Sequence, residues 1–490
     1  MFMPRLLRES YRLLNNRISI NDHSWFITIR KFELNSMSDY YPTILRNWIY
    51  PLAQKLRKRD YAKMMQDAQR NQYLEREQLR RIQFTKLKAL LHHSYQTVPY
   101  YRDRYKQAGL EPDDIRCLDD IKLLPILTKD EIRNDHKWFL SEKPRTPVFK
   151  VSTSGSTGIP MEFHISQSAA AAANTCRIRA LEWWGIKLGD RELRFGGIGY
   201  PMGSGVKVFA KKHFISPVRY RIMNRRTLSA FDMSPQSMDA YWNFIQKYSP
   251  KYFFGYPSSF HIFAQYIREQ GYDGKSLGLR CVVTTGEILF DWQVQEIEDV
   301  FNCPVANEYG SAEVGVMAYG YPCGALHIMD DFILLEVVKT NPNDEAGEIV
   351  VTHLENWGSP LIRYNVQDLA IPLDDASPCP HGLGFKKIRR VIGRYHDLIR
   401  LPSGRIVHGT YFEGLMREVV GVQQYQVIQK KPDLFEILVV SNEEFTTDQE
   451  DFIRDKINLH LEYAQVEIIR TQTISKEATG KLRYVISEVK

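Results

Sequence analysis

Near residue 145 the apolar residues change their period, and that change restricts the chain more than any other feature. Before it, apolar residues recur at spacings of three and four through residues 61 to 92, ending in FTKLKALLHHS, which predicts helix. After it come short β-rich runs (PVFKVS, KYFFGY, CVVTTGE, FILLEVV, EIVVTHL) divided by Gly, Pro and Ser clusters and by helical stretches. SAAAAANTCRIRALEWWG reads as a helix that Ser166 or Ser168 caps. Strands alternating with helices in one segment predict an α/β architecture. From about residue 393, FEILVVS, TTDQEDFIRDKINLHLE, QVEIIRT and TGKLRYVIS have the size and pattern of a small α+β domain. With 490 residues, more than one hydrophobic core is expected.

Composition narrows the function classes. Hydrophobic residues at 43% and charged residues at 25% fit a globular chain able to bury large cores. No apolar run approaches the roughly 18 residues of a membrane span, and MFMPRLLRESYRLLNN lacks the apolar block of a secretory signal, so a cytoplasmic protein is expected. Six scattered cysteines do not make a disulfide framework; a cysteine with a special task would be a metal ligand. Residues 1 to 90 hold 18 Lys or Arg against 8 Asp or Glu, although the whole chain carries only +7. The basic stretch PLAQKLRKRDYAK follows the aromatic stretch YYPTILRNWIYPL. Such a neighbourhood fits an anionic membrane surface at the inner face, a partner, or a solvated helix face, and the pattern leaves these open. The acidic remainder, with no long basic stripe, argues against nucleic acid as the main partner.

Five short motifs carry candidate chemistry. Ser152, Thr153, Ser154, Gly155, Ser156, Thr157 and Gly158 form a loop dense in hydroxyls, able to turn backbone NH and side-chain OH donors toward a polyphosphate. It does not fit GxxxxGK[ST], and MEFHIS after it alternates as a strand, so the loop joins two strands. NEYGSAEVG sets Glu313 in a Gly-flanked turn where a carboxylate can hold Mg²⁺ against a triphosphate. Asp368 in PLIRYNVQDLA can accept from two ribose hydroxyls, Arg394 stands beside a glycine at the apparent domain boundary, and Lys481 follows Gly480 near the end of the sequence. Singly, each is matched by a bland reading: a flexible turn, a surface carboxylate, a salt-bridged arginine, a solvated lysine.

Taken in order, these motifs resemble the adenylate-forming superfamily of acyl- and aryl-CoA ligases, peptide-synthetase adenylation domains and luciferases. The likeness is strongest to the phenylacetate-CoA ligase branch, through LHHSYQTVPYYRDRYKQAGLEPDDIRCLDDIKLLPILTKDEIR, FFGYPSS, MDDFILLEV and LIRYNVQDL. Within it, the N-terminal extension and PSGRIVHGTYFE look most like capsular-polysaccharide-biosynthesis ligase-like proteins. The resemblance implies a large multi-layer α/β domain over 85–392, a small mobile α+β domain over 393–490, and a helical, basic extension over 1–84. It implies ATP-dependent activation of a small carboxylic acid to an acyl-adenylate, with pyrophosphate release and transfer to a thiol, coenzyme A or a carrier protein, in polysaccharide or cell-envelope synthesis. Direct transfer to an amine or to a hydroxyl, for instance on a sugar, and a catalytically silent scaffold are the competing readings.

By the same resemblance Lys481, Glu313 and Thr157 are catalytic, and Ser152 to Gly158 hold pyrophosphate. Gly286, Glu287, Tyr309 and Gly310 flank adenine, Asp368 and Arg394 grip the ribose, and Tyr256 and Pro257 line the acyl pocket. Two positions depart from the pattern: Met161 stands where many members have a lysine, and His396 occupies the hinge, with Asp397 following. Separately, Cys323 with His327 and Cys379 with His381 can supply four ligands to a structural Zn²⁺; two unrelated surface cysteines are the alternative. His164, inside the strand MEFHIS, reads as structural or pocket-lining. Oligomeric state leaves no mark in the sequence.

Overall fold

The computed structural model describes residues 40–56, 61–152, 161–196, 220–230, 233–339, 341, 344–373, 379–394, 398–403, 406–408, 410–461, 464–475 and 482–489. After a π-helical turn at Leu45–Ile49, the helices are α1 (Tyr50–Leu56), α2 (Tyr61–Asn71), α3 (Arg76–Thr97), α4 (Pro99–Ala108), α5 (Lys129–Asn134), α6 (Gln167–Trp183), α7 (Pro235–Tyr248), α8 (Pro257–Glu269) and α9 (Asp291–Phe301). The strands up to that domain's end are β1 (Val148–Ser152), β2 (Glu162–Ser166), β3 (Glu192–Gly196), β4 (Arg225–Ser229), β5 (Tyr252–Gly255), β6 (Cys281–Thr285), β7 (Val305–Ser311), β8 (Gly315–Gly320), β9 (Leu326–Ile328), β10 (Ile333–Val338), β11 (Gly347–His353), β12 (Tyr364–Pro372) and β13 (Lys387–Arg394).

Eleven of these strands form one sheet in the order β10-β11-β12-β13-β9-β8-β7-β6-β5-β3-β4. From β4 to β7 neighbours run parallel; from β7 onward they run antiparallel. At the centre of the parallel half β5 and β6 are buried on both faces, which is why they read as continuous apolar runs: all four residues of β5 are buried. One face packs on α6, and the other packs on α7, α8 and α9 through Phe195, Phe253, Phe260, Phe263 and Phe301. Gly255 is needed at the end of β5, because a Cβ there would stand 2.3 Å from the Phe195 carbonyl oxygen. Ser166, one of the two cap candidates, caps α6: its hydroxyl accepts from the Ala169 NH at 3.3 Å.

The helical lead-in does not stand apart. Ala68 of α2 and Leu87, Leu90 and Leu91 of α3 belong to the main core, and Leu45 and Met65 pack with Ile178 of α6. β1 and β2 pair antiparallel with Ser152 opposite Glu162, so the hydroxyl-rich loop joins two strands, as its flanking alternation indicates. No helix among the described residues is long and apolar enough to cross a membrane.

After a two-stranded ribbon, β14 (Leu398–Arg400) with β15 (Ile406–His408), the C-terminal part has its own sheet, β18-β17-β16-β19, built from β16 (Val422–Lys431), β17 (Leu434–Ser441), β18 (Gln465–Arg470) and β19 (Val485–Ser487). With helices Thr410–Arg417 and Thr447–His460 it closes a separate core around Phe412, Phe435, Ile437 and Ile457. The whole is mixed α/β, with a large sheet-rich domain followed by a smaller one.

Candidate active site

Ligand sites in open parallel sheets lie beyond the carboxyl ends of the strands, and here those ends gather six of the candidate residues. Tyr256 and Pro257 follow β5, Gly286 and Glu287 follow β6, and Tyr309 and Gly310 lie within the end of β7. Pro257 is the first residue of α8, where its missing NH costs nothing. Gly286 takes φ +80°, the left-handed region open to glycine. At Gly310 a Cβ would meet the Gly315 carbonyl oxygen at 2.4 Å, so the tight β7–β8 crossing requires glycine.

Glu287 ties two segments together. Its Oε2 accepts from the Ser258 NH at 3.1 Å and its Oε1 from the Leu482 NH at 2.8 Å. Beside it, Gln293 donates to the Tyr484 hydroxyl at 3.2 Å and the Phe290 and Tyr484 rings meet edge-on at 5.4 Å. The C-terminal segment thus sits at the carboxyl end of β6, with Leu482 one residue beyond Lys481. Lys481 lies outside the described residues, as do Thr153, Ser154, Gly155, Ser156, Thr157, Gly158, His396 and Asp397.

Glu313 lies in the turn between β7 and β8 and is buried. Its Oε1 accepts from the Tyr364 hydroxyl at 3.2 Å and faces Lys129 Nζ at 3.4 Å. Burial, then the neighbouring Glu313 charge, pushes the Tyr364 phenol far up, so it remains a donor. Lys129 opens α5, which Thr128 and Glu131 cap reciprocally, and α5 packs on both β2 and β12. That packing brings the base of the hydroxyl-rich loop near Glu313. Asp368 accepts from the Tyr309 hydroxyl at 2.8 Å, and its Cα pairs with that of Arg394 across β12 and β13. The ribose and adenine candidates are therefore neighbours, although they are 59 residues apart.

Lys129 and Tyr364 were not among the candidates read from sequence. Tyr364 sits inside the quoted LIRYNVQDL and Lys129 inside the quoted run that ends in TKDEIR, but nothing local sets Lys129 against Glu313. Met161 is fully buried in the main core, so a side chain here packs instead of reaching phosphate. His164 stacks on His136 at 5.4 Å, and burial lowers its pKa, as suits a structural ring.

Cys323, His327 and Cys379 bring their ligand atoms within 4.8 Å of one another, with Cys323 Sγ 3.3 Å from His327 Nε2. Two sulfurs and an imidazole at this spacing suit Zn²⁺. His381 stands outside that group, exposed, with its ring 5.0 Å from Tyr321.

Residues 49–352 match the AMP-binding enzyme family, and residues 399–488 match the CapK C-terminal domain. Protein CapK of Staphylococcus aureus is 26% identical over 402 residues, covering 80% of this chain and 85% of that protein. A phenylacetate-coenzyme A ligase of Thermus thermophilus is 25% identical over 376 residues, covering 73% and 80%. Among solved structures, 2-hydroxyisobutyryl-CoA ligase in its postadenylation state superposes with TM-score 0.69 at 19% identity, over 86% of this chain and 91% of that one. The same ligase with 2-HIB-AMP and CoA superposes at 0.57, also at 19% identity, over 86% and 92%. The fold and these matches define an AMP-forming, adenylate-forming ligase. The chain belongs to the AMP-binding enzyme family and is related to CapK.

Proposed function

We propose that the protein uses ATP to convert a small carboxylic acid into an acyl-adenylate, releasing pyrophosphate, and then passes the acyl group to a thiol. The observation that supports this is the Glu287 carboxylate, which joins the start of α8 to Leu482 of the C-terminal segment, while Tyr309 joins Asp368 at the end of the neighbouring strand β7. In this reading Ser152 to Gly158 hold the pyrophosphate end, with Thr157 among the catalytic groups, and Gly286, Glu287, Tyr309 and Gly310 flank adenine. Asp368 and Arg394 grip the ribose. Tyr256 and Pro257 line the acyl pocket, and Lys481 meets the carboxylate and α-phosphate oxygens when the small domain closes. Two anions that repel one another are thereby held together while charge builds at the α-phosphate. The Glu313 carboxylate fits a hard cation, and Mg²⁺ bound there would neutralise phosphate charge once Lys129 gives way. The working units are the large domain over 85–392, into whose core the described part of the lead-in over 1–84 packs, and the mobile domain over 393–490.

Coenzyme A as acceptor is supported by the relatives named phenylacetate-coenzyme A ligase and by the neighbour solved with CoA. For a place in polysaccharide or cell-envelope synthesis the support is the likeness to CapK. A pyrophosphate-release screen over aryl, fatty, hydroxy and amino acids, with and without coenzyme A, tests the reading. Product that forms without coenzyme A on an added sugar or amine would instead favour direct transfer, and no release with any acid would favour a silent scaffold.

Cys323, His327 and Cys379 would hold a structural Zn²⁺, with His381 or water completing the set, and so tie β8–β9 to the segment before β13. Stoichiometric zinc is expected in protein purified without chelators, and its loss is expected in Cys379→Ser. Zinc-free wild-type protein ends the idea.

A peripheral contact with an anionic membrane is supported by a stripe at four-residue intervals, Tyr40, Ile44, Trp48, Leu52 and Leu56, exposed at 69%, 48%, 74%, 59% and 77%. The opposite side of this stretch buries Leu45 and Tyr50, and the sequence next carries Arg57, Lys58 and Arg59. Aromatic and aliphatic side chains beside clustered cations are what an acidic lipid surface retains. Sedimentation with phosphatidylglycerol vesicles is expected to fall more than about tenfold in the Trp48→Glu, Leu52→Glu double variant, since each apolar side chain withdrawn from lipid forfeits about 1.5–3 kcal/mol. Equal sedimentation of both proteins removes the membrane contact.

A further inference from the structure

Two guanidinium groups converge on one carboxylate oxygen between α6 and the β4–β3–β5 end of the sheet. Arg194 Nη2 lies 2.9 Å and Arg225 Nε 2.7 Å from Glu192 Oε1, while the Tyr252 hydroxyl donates to Oε2 at 2.6 Å. Burial pushes Glu192 up, but the two guanidinia outweigh it and hold the carboxyl at about 2. Glu192 thus supplies one negative charge at any working pH. The third arginine of this face, Arg177, has a carboxylate of its own: Nε and Nη2 each donate to Glu308 at 2.6 Å. The described groups therefore leave one positive charge in excess. Residues 197–219, which follow β3, contain no Asp or Glu.

Three details say where the missing anion belongs. Arg194 Nη2 has no acceptor in hydrogen-bonding geometry among the described residues, and neither does the buried Oγ1 of Thr227, the residue opposite Arg194 in β4. Burial also pulls the Arg194 pKa down, the direction of a cation short of counter-charge. The Phe254 ring carries the Arg194 guanidinium at 4.2 Å and that of Arg177 at 5.4 Å, making a flat, electron-rich floor. Solvent still reaches 25% of the Arg194 side chain and 22% of Arg225, while Arg194 Nη2 and Thr227 Oγ1 are themselves shielded from it, so the two donors stand at the buried end of a recess. Phe254 precedes Tyr256 by two residues, about 7 Å along the strand, so the recess lies one short carbon chain below the acyl-pocket candidates.

We propose that the acid activated by this enzyme carries a second anionic group, a carboxylate or a phosphate, which Arg194 and Thr227 bind above Phe254. The proposal rests on the adenylation reading and gives that reading its substrate class. An uncharged aromatic acid would leave Arg194 and Arg225 sharing the single Glu192 carboxylate, with Arg194 Nη2 lacking an acceptor. A bidentate oxyanion matches a guanidinium edge, and the Thr227 hydroxyl adds one further donor.

The test measures acid-dependent ATP–pyrophosphate exchange with glutarate, 3-phosphoglycerate, pentanoate and phenylacetate, together with calorimetric binding of each acid. At least one anionic-tailed acid is expected to show KM or Kd at least tenfold below those of pentanoate and phenylacetate, and the comparison of glutarate with 3-phosphoglycerate distinguishes carboxylate from phosphate. Arg194→Met is expected to shrink that preference at least tenfold, Arg194→Lys to restore part of it, and Thr227→Val, which leaves the ion pairs in place, to shrink it several-fold. Exchange confined to the uncharged acids, an unchanged preference in all three variants, or calorimetry detecting neither anionic acid overturns the proposal. Binding of an anionic acid without exchange supports it while counting against adenylation, so the two readings fail separately.

Discussion

Replacing Lys481 by alanine is expected to lower carboxylate-dependent ATP–pyrophosphate exchange on the order of 10²- to 10³-fold, the scale seen when one preorganised donor to developing negative charge is removed. The next residue, Leu482, is held by its NH on Glu287, and Tyr484 packs against Phe290 and Gln293. The residue after Lys481 is therefore held beside Glu287, one of the residues proposed to flank adenine, and the proposed role of Lys481 is to bring its charge to where the acid's oxygen meets the α-phosphate. Thermal stability is expected to change little, since a side chain that acts only on domain closure is not part of either core. Exchange at the wild-type rate in Lys481→Ala removes the role. Glu287→Ala leaves the lysine side chain in the sequence but frees the Leu482 NH and removes a residue proposed to flank adenine, so a loss of exchange is expected there too, accompanied by a rise in the KM for ATP.

The second large effect is on stability. Arg179 of α6 and Asp331 are both fully buried, and their guanidinium and carboxylate meet in two contacts of 2.6 and 3.0 Å. Arg179 Nη1 also donates to the Ala68 carbonyl at 3.1 Å, and the guanidinium lies 4.6 Å from the centre of the Phe385 ring. The pair thus joins α2, α6, the β9–β10 turn and the segment before β13. Asp331→Ala is expected to destabilise the large domain by about 3–5 kcal/mol, because it strands a buried guanidinium without its counter-charge. The double variant Arg179→Met, Asp331→Leu is expected to recover much of that loss, since neither charge is then buried. Urea midpoints for the three proteins decide it: an Asp331→Ala midpoint equal to wild type would mean the pair holds nothing together.

The sequence made the architecture legible where periodicity was strong and local. The runs KYFFGY and CVVTTGE become β5 and β6, two fully packed neighbours in the parallel half, because continuous apolar stretches of that length suit a strand covered on both faces. Ser166 as a cap and the strand-to-strand placing of the hydroxyl-rich loop follow from three or four adjacent residues and are as readable. The helices from Tyr61 were readable as helices, but not their place: Ala68, buried against α6, looks in sequence like any small residue on a polar helix.

The candidate site divides in the same way. Gly310 and Glu313 announce themselves inside one short motif, whereas Lys129 reaches Glu313 from 184 residues away and Tyr309 reaches Asp368 across 59. The Met161 position shows the limit from the other side: sequence marks a missing cation, and only burial explains why the side chain there serves the core.

What the sequence determined by itself was the architecture, a mixed α/β chain with a small second domain, because glycines in tight turns, caps and strand periodicity act over a few neighbouring residues; the ligase reading came from the resemblance of its motifs. Tertiary structure alone decided which charges oppose one another. Arg194 and Arg225 share Glu192, and Arg177 takes Glu308, through strand order and register that no local pattern encodes. Electrostatic energy depends on distance through space and on how much water is excluded, and both are set only when remote segments pack together.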